Sequence, residues 1–149
     1  MAEIQQCRVA ELFDDPRCEE LIAEYAAECG NALIGKPAPR RDLYESLEAS
    51  GLGQCFAAYE GGMLCGFAMV IASVVPHYGL SCATTESLFV ERGSHSGAEL
   101  MRAIEDYARA AGCTAFFYTA PLNSRMARLL FLCADEYANT NHVFCKRLV

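Results

Sequence analysis

Glu86 stands inside the run E-S-L-F-V, which passes through Glu91 into R-G-S-H-S-G-A and then into the regular pattern E-L-M-R-A-I-E-D-Y-A-R-A. Two kinds of chemistry are written there. A carboxylate on a strand that faces a cleft can take a proton from an incoming nucleophile such as an amine. A glycine- and serine-containing loop at a helix start gathers free backbone N–H groups at the positive end of the helix dipole, which suits phosphates. Strict strand alternation puts Thr84, Glu86, Leu88 and Val90 on one face and Thr85, Ser87 and Phe89 on the other. From its type alone, Glu86 either faces a cleft, lies at an exposed edge, or pairs with a buried arginine.

The other reactive side chains form no comparable arrangement. His77 falls in a turn, and His142 with Cys145 makes a lone H-x-x-C on an alternating segment. The cysteines number nine, an odd count, and no C-x-x-C occurs. That spacing gives neither a disulfide framework nor a zinc site, so no metal is expected. Most of the thiols sit in apolar runs, where they behave as small hydrophobes, and a reducing, cytoplasmic setting is the consistent expectation. Neither G-x-G-x-x-G nor G-x-x-x-x-G-K-[ST] is present.

The elements that must position Glu86 and the loop can be read in order. Residues 4–9 suggest an edge strand, and Asp15-Pro16 opens a helix that carries Leu21, Ile22 and Tyr25 at helical spacing and ends at Gly30. A loop with Gly35, Pro37 and Pro39 leads to a short helix over 41–49. Two apolar runs around Gly61-Gly62 then read as a hairpin, and a third strand over 80–90 completes an antiparallel meander. A helix over 96–111, stopped by Gly112, connects to a strand over 114–120, which makes a parallel crossover. A helix over 124–134 and a final strand over 142–148 close the chain.

At 149 residues one domain is expected, spanning 1–149, large enough to bury about 70% of its unfolded surface. The 53% hydrophobic content is spread without a membrane-length apolar run. The start M-A-E-I-Q-Q-C-R lacks the basic and apolar regions of a signal peptide. A formal charge of −7 argues against nucleic acid as a partner and favours the approach of a cation such as an amine.

The segment Arg92-Gly93-Ser94-His95-Ser96-Gly97 resembles the acetyl-coenzyme A loop of the Gcn5-related N-acetyltransferases, Gln/Arg-x-x-Gly-x-Gly/Ala, with His95 at the first glycine position. The hairpin Y-E-G-G-M-L-C-G-F, the strand E-S-L-F-V and the segment P-L-N-S-R-M-A-R-L-L-F fall where that family has its second and third strands, its fourth strand and the helix beside the pyrophosphate. The resemblance implies a mixed, mostly antiparallel α/β sheet with helices on both faces and one β-α-β crossover. It also implies acetyl transfer from acetyl-CoA, as co-substrate, to a primary amine of a small molecule or protein in a ternary complex. Glu86 would be the base, and the N–H groups around Phe89 and Val90 would hold the thioester carbonyl. Arg92, Gly93, Ser94, His95, Ser96, Gly97 and Ala98 would hold the pyrophosphate, with Ser124 and Arg128 alongside. A homodimer is consistent with the family. Its usual tyrosine aligns near Phe131, which has no proton to give, and Tyr118 and Tyr137 are the phenols further along the chain. The rival readings are an acetyl-CoA-binding sensor or interaction module that has lost catalysis, and a thiol-dependent hydrolase.

Overall fold

Residues 64–72 are apolar at every position because the strand they form is covered on both faces, so burial runs on from Leu64 to Val70 where a half-exposed strand would alternate. The chain folds as β1 (Glu3–Cys7), α1 (Val9–Asp14), α2 (Cys18–Glu28), α3 (Arg41–Ala49), β2 (Gly53–Glu60), β3 (Met63–Val75), β4 (Leu80–Val90), α4 (Gly97–Ala110), β5 (Ala115–Phe117) and α5 (Arg125–Leu132) in a computed structural model that describes residues 1–149. The strands lie in the order β1-β2-β3-β4-β5. The first four pair antiparallel, while β5 runs parallel to β4 after the α4 crossover. Gly61 and Gly62, at φ +56° and +77°, make the tight β2–β3 turn that two left-handed residues permit. No helix is long and apolar enough to cross a membrane.

One face of the sheet carries α1 and α2, whose Val9, Leu12, Cys18 and Leu21 pack on Cys55, Phe67, Met69 and Phe89. The other carries α4, whose Leu100, Ile104 and Ala108, spaced by four, pack on Phe56, Ala68, Val70 and Ala83. Helix α4 ends in a Schellman turn: Gly112, at φ +77°, donates to Arg109 O, and Cys113 N–H to Ala108 O.

Three expectations need correction. The segment 9–14 is a helix, whereas the edge strand was expected to run to Val9 and no helix was expected before Asp15, because six residues are too few to show a helical period. Strand β5 pairs only over Ala115–Phe117. The expected strand over 142–148 has no ladder partner and is irregular, since a three-residue β5 offers it too little edge. All nine cysteines are free thiols.

Candidate functional site

The strand that carries Glu86 is bulged at that residue. Met69 pairs with Ser87 and Val70 with Thr85, which leaves Glu86 as the extra residue on β4. The bulge breaks the expected alternation. Thr85 shares the α4 face with its partner Val70, as do Leu88 and Val90, while Glu86 turns to the opposite side with Ser87 and Phe89. There its exposed carboxylate borders an open cleft of ≈ 370 Å³, walled by Tyr25 of α2, Pro39, and Leu43, Tyr44 and Leu47 of α3. Glu86 belongs to no ion pair; Arg40, at the rim, is held by Asp42. Burial first, and then the Glu86 carboxylate among other neighbours, pushes the Tyr44 phenol up, and burial carries Tyr25 to about 12. Both phenols therefore stay protonated near neutrality. In the sequence Tyr25 reads only as one more apolar position on a helix, and nothing in the 41–49 pattern singles out Tyr44.

Beyond Glu86 the sheet opens. Pairing with β5 stops at Thr84–Phe117, and Thr119 holds on only through Thr85, donating to its Oγ1 from the backbone (3.1 Å) and to its carbonyl from Oγ1 (3.0 Å). Residues 86–90 of β4 then have no strand on that side. Phe89 O lies so close to β3 that a Cβ added at Gly66 would meet it at 2.9 Å, and Glu91 N–H donates to Cys65 O at 2.9 Å. Phe89 thus directs its backbone groups to β3 and its side chain into the core, at 4% exposure. The open edge belongs to Leu88 and Val90. The Phe89 N–H, expected at the thioester carbonyl, is thus turned to β3, while Val90 lies on the open edge.

The open edge leads straight to the loop. Arg17, at the start of α2, clamps its base by donating to Glu91 Oε2 (2.8 Å) and Leu64 O (2.8 Å), and the bond to Glu91 raises the guanidinium pKa. A second bulge, with Ala58 opposite Gly66 and Tyr59 opposite Leu64, leaves Cys65 as the extra residue on β3 and sets its thiol 3.5 Å from Ser96 Oγ. Glu60, from the hairpin, accepts from Ser94 Oγ (2.9 Å) and from His95 N–H (2.9 Å), and those bonds lower its pKa. Ser96 is fully buried, its N–H donating to Ser94 Oγ at 3.1 Å, and Ser94 N–H reaches Glu91 O at 3.3 Å.

The expectation that every N–H over 93–98 faces a phosphate is therefore corrected. Those of Ser94, His95 and Ser96 are engaged inside the protein, whereas the backbone N–H groups of Arg92, Gly93, Gly97 and Ala98 have no partner within it. The space in front suits an anion. Gly93 adopts φ +90°, and a Cβ added at Gly93 or Gly97 would meet nothing within 4 Å. Arg92 is exposed and near enough to help hold Glu28 ionised.

Around α5 the expected roles are redistributed. Ser124 caps the helix by accepting from Ala127 N–H (3.1 Å), and Arg128 folds back onto Asn123 O (3.1 Å). Arg125 is the residue that reaches the site. It donates to Val90 O (2.7 Å), pairs with both oxygens of Glu28 (2.8 and 2.9 Å) and sits 5.8 Å over the Phe89 ring. Phe131 is largely exposed. Tyr118 and Tyr137 both donate to Glu105 Oε1 of α4 (2.8 and 2.9 Å), and Tyr118 packs with the cluster on the face opposite Glu86, so neither is placed to assist there.

A profile of the Acetyltransferase (GNAT) family matches residues 19–131. Among curated proteins none matches the sequence. The fold is similar to that of a ribosomal-protein-alanine N-acetyltransferase from Brucella melitensis biovar Abortus 2308, at 20% identity and TM-score 0.70 with 99% of each chain covered. It is similar also to an aminoglycoside acetyltransferase from an uncultured soil metagenomic sample, at 16% identity and TM-score 0.72 with 100% of this chain and 99% of that one covered. A third likeness is to glucosamine-6-phosphate N-acetyltransferase from Arabidopsis thaliana, at 12% identity and TM-score 0.70, again over 100% and 99%. The family match over most of the chain, the bulged and half-unpaired β4, and the loop ahead of α4 agree: this chain belongs to the GNAT acetyltransferase family.

Proposed function

We propose that the protein transfers an acetyl group from acetyl-CoA to a primary amine by direct attack within a ternary complex. The observation that carries this reading is that one strand joins the two halves of the chemistry: the Glu86 bulge opens on the cleft, and the unpaired residues beyond it run into the loop at 92–98. An acetyl-CoA molecule supplies the activated thioester. Its extended, amide-bearing arm suits the free edge at Leu88 and Val90, as an added strand would. The unpartnered N–H groups of Gly93, Gly97 and Ala98, with the Arg92 charge, suit its pyrophosphate.

Glu86 removes a proton from the acceptor's ammonium, directly or through water, because an ammonium has no lone pair to attack with. The freed nitrogen attacks the thioester carbonyl, forming the C–N bond and an oxyanion, and collapse of that oxyanion breaks the C–S bond so that the sulfur leaves with the electron pair. The proton lost by the new amide nitrogen balances the thiolate. With a thiol pKa of about 8.5, sulfur leaves without a strong acid, so the absence of a phenol at Phe131 is tolerable. The Val90 N–H, on the open edge, is the donor that suits the oxyanion.

Thermal shift is the direct test. Acetyl-CoA should raise the melting temperature where NAD and ATP at equal concentration do not, and thiol release should follow when an amine is added. No shift with acetyl-CoA would overturn the proposal. The engaged N–H of His95 favours a second reading, a coenzyme-binding module without turnover, which predicts the shift but no thiol release.

Arg125 bears on the same test, since it holds the Val90 carbonyl that the arm of acetyl-CoA would meet. Glu28→Gln should loosen that hold and tighten acetyl-CoA about two- to fivefold by calorimetry, a modest gain because the ion pair is half-exposed. Arg125's hydrogen bonds keep the Glu28 pKa below its usual value. The pair therefore contributes stability above the ordinary carboxylate pKa of about 4.3 and loses it as pH falls through the depressed one. Acid should release Arg125, read as a change in its side-chain NMR signals as pH falls below the ordinary carboxylate range.

A further inference from the structure

Resting on the acetyl-transfer reading, we infer that the acceptor is a small monoamine: one ammonium on an apolar, aryl or alkyl body. The cleft that Glu86 borders has one charge free to meet a cation, the Glu86 carboxylate itself. The other charged residue there, Arg40, is tied to Asp42 through both Nε and NH2. The walls are aromatic or aliphatic: Tyr25 and Tyr44 keep their phenols neutral, and Pro39, Leu43 and Leu47 have no polar side-chain atom. At ≈ 370 Å³ the space suits a small organic molecule.

A single ammonium can thus meet Glu86 while its body covers Leu43 and the tyrosine rings, which also attract a cation over their faces. A polycation has no such fit. Its second and third ammonium groups find no carboxylate on these walls, and keeping them in water lifts the chain off the apolar surface that a monoamine's body would cover. The net charge of −7 draws all cations towards the molecule, so selection among them falls to the cleft.

Thiol release from acetyl-CoA, followed with 2-phenylethylamine, hexylamine, spermidine, kanamycin and a short peptide with a free N-terminal alanine, tests this. The two monoamines should show kcat/KM roughly tenfold or more above the other three, the scale of discrimination an apolar wall contact provides. Leu43→Glu, at an exposed wall position where a charged side chain can be solvated, should raise spermidine relative to 2-phenylethylamine. That ratio is measured within one preparation and does not depend on its folded fraction. Faster turnover of spermidine, kanamycin or the peptide would overturn the inference and leave acetyl transfer standing. Acetyl-CoA binding without thiol release from any of the five would overturn both.

Discussion

Glu86→Gln is expected to lower kcat by about 10²- to 10⁴-fold, the range a positioned general base contributes. The substitution keeps the shape of the side chain at the bulge and removes its ability to accept a proton. It also deletes the one free negative charge bordering the cleft, so KM for the amine should rise. Acetyl-CoA binding should change little, because Glu86 lies upstream of Leu88, Val90 and the loop. Steady-state thiol release together with calorimetric titration of acetyl-CoA separates the effects. Loss of coenzyme binding in Glu86→Gln would make the residue a structural one.

Leu100→Ala should cost about 2–5 kcal/mol of stability, read as a lower urea midpoint at unchanged slope. Leu100 is wholly buried in the first turn of α4, against the sheet, and its N–H donates to Ser96 O at 2.9 Å. The cavity would therefore open directly behind the loop. Ile104→Val, one turn further along at the same depth, should cost only about 0.5–1.5 kcal/mol. If the loop holds acetyl-CoA as proposed, ligand at a hundred times its Kd should restore about 2.7 kcal/mol to Leu100→Ala, because binding only to the native state adds to its stability.

What could be read in the sequence was what a short stretch decides for itself. The helix over 41–49 and the strand over 80–90 fall where their patterns predicted, and Gly61-Gly62 turns as its type requires. The loop between strand and helix was legible for the same reason, since its glycines and serines are contiguous. The partners that complete it were not. Glu60 reaches His95 across 35 residues and Arg125 reaches Glu28 across 97, and neither pairing leaves a mark in the local pattern. The bulge at Glu86 is likewise a property of two strands taken together. Alternation along β4 alone put Glu86 with Leu88, whereas the mismatch with β3 sends them to opposite faces. The segment 142–148 shows the converse, since a good strand pattern needs a neighbour with backbone groups to share.

Strand β4 is an interior strand over its first half and a bare edge over its second. Such an edge offers unpaired backbone groups to any extended segment, including one from another molecule of the same protein. The Arg125 guanidinium, set on the Val90 carbonyl, puts a charge across that template. Its removal in Arg125→Ala should therefore show first as concentration-dependent self-association, visible by light scattering in the ligand-free protein. A ligand that covers Leu88 and Val90 should suppress it, so colloidal behaviour would report occupancy of the same edge on which the chemistry depends.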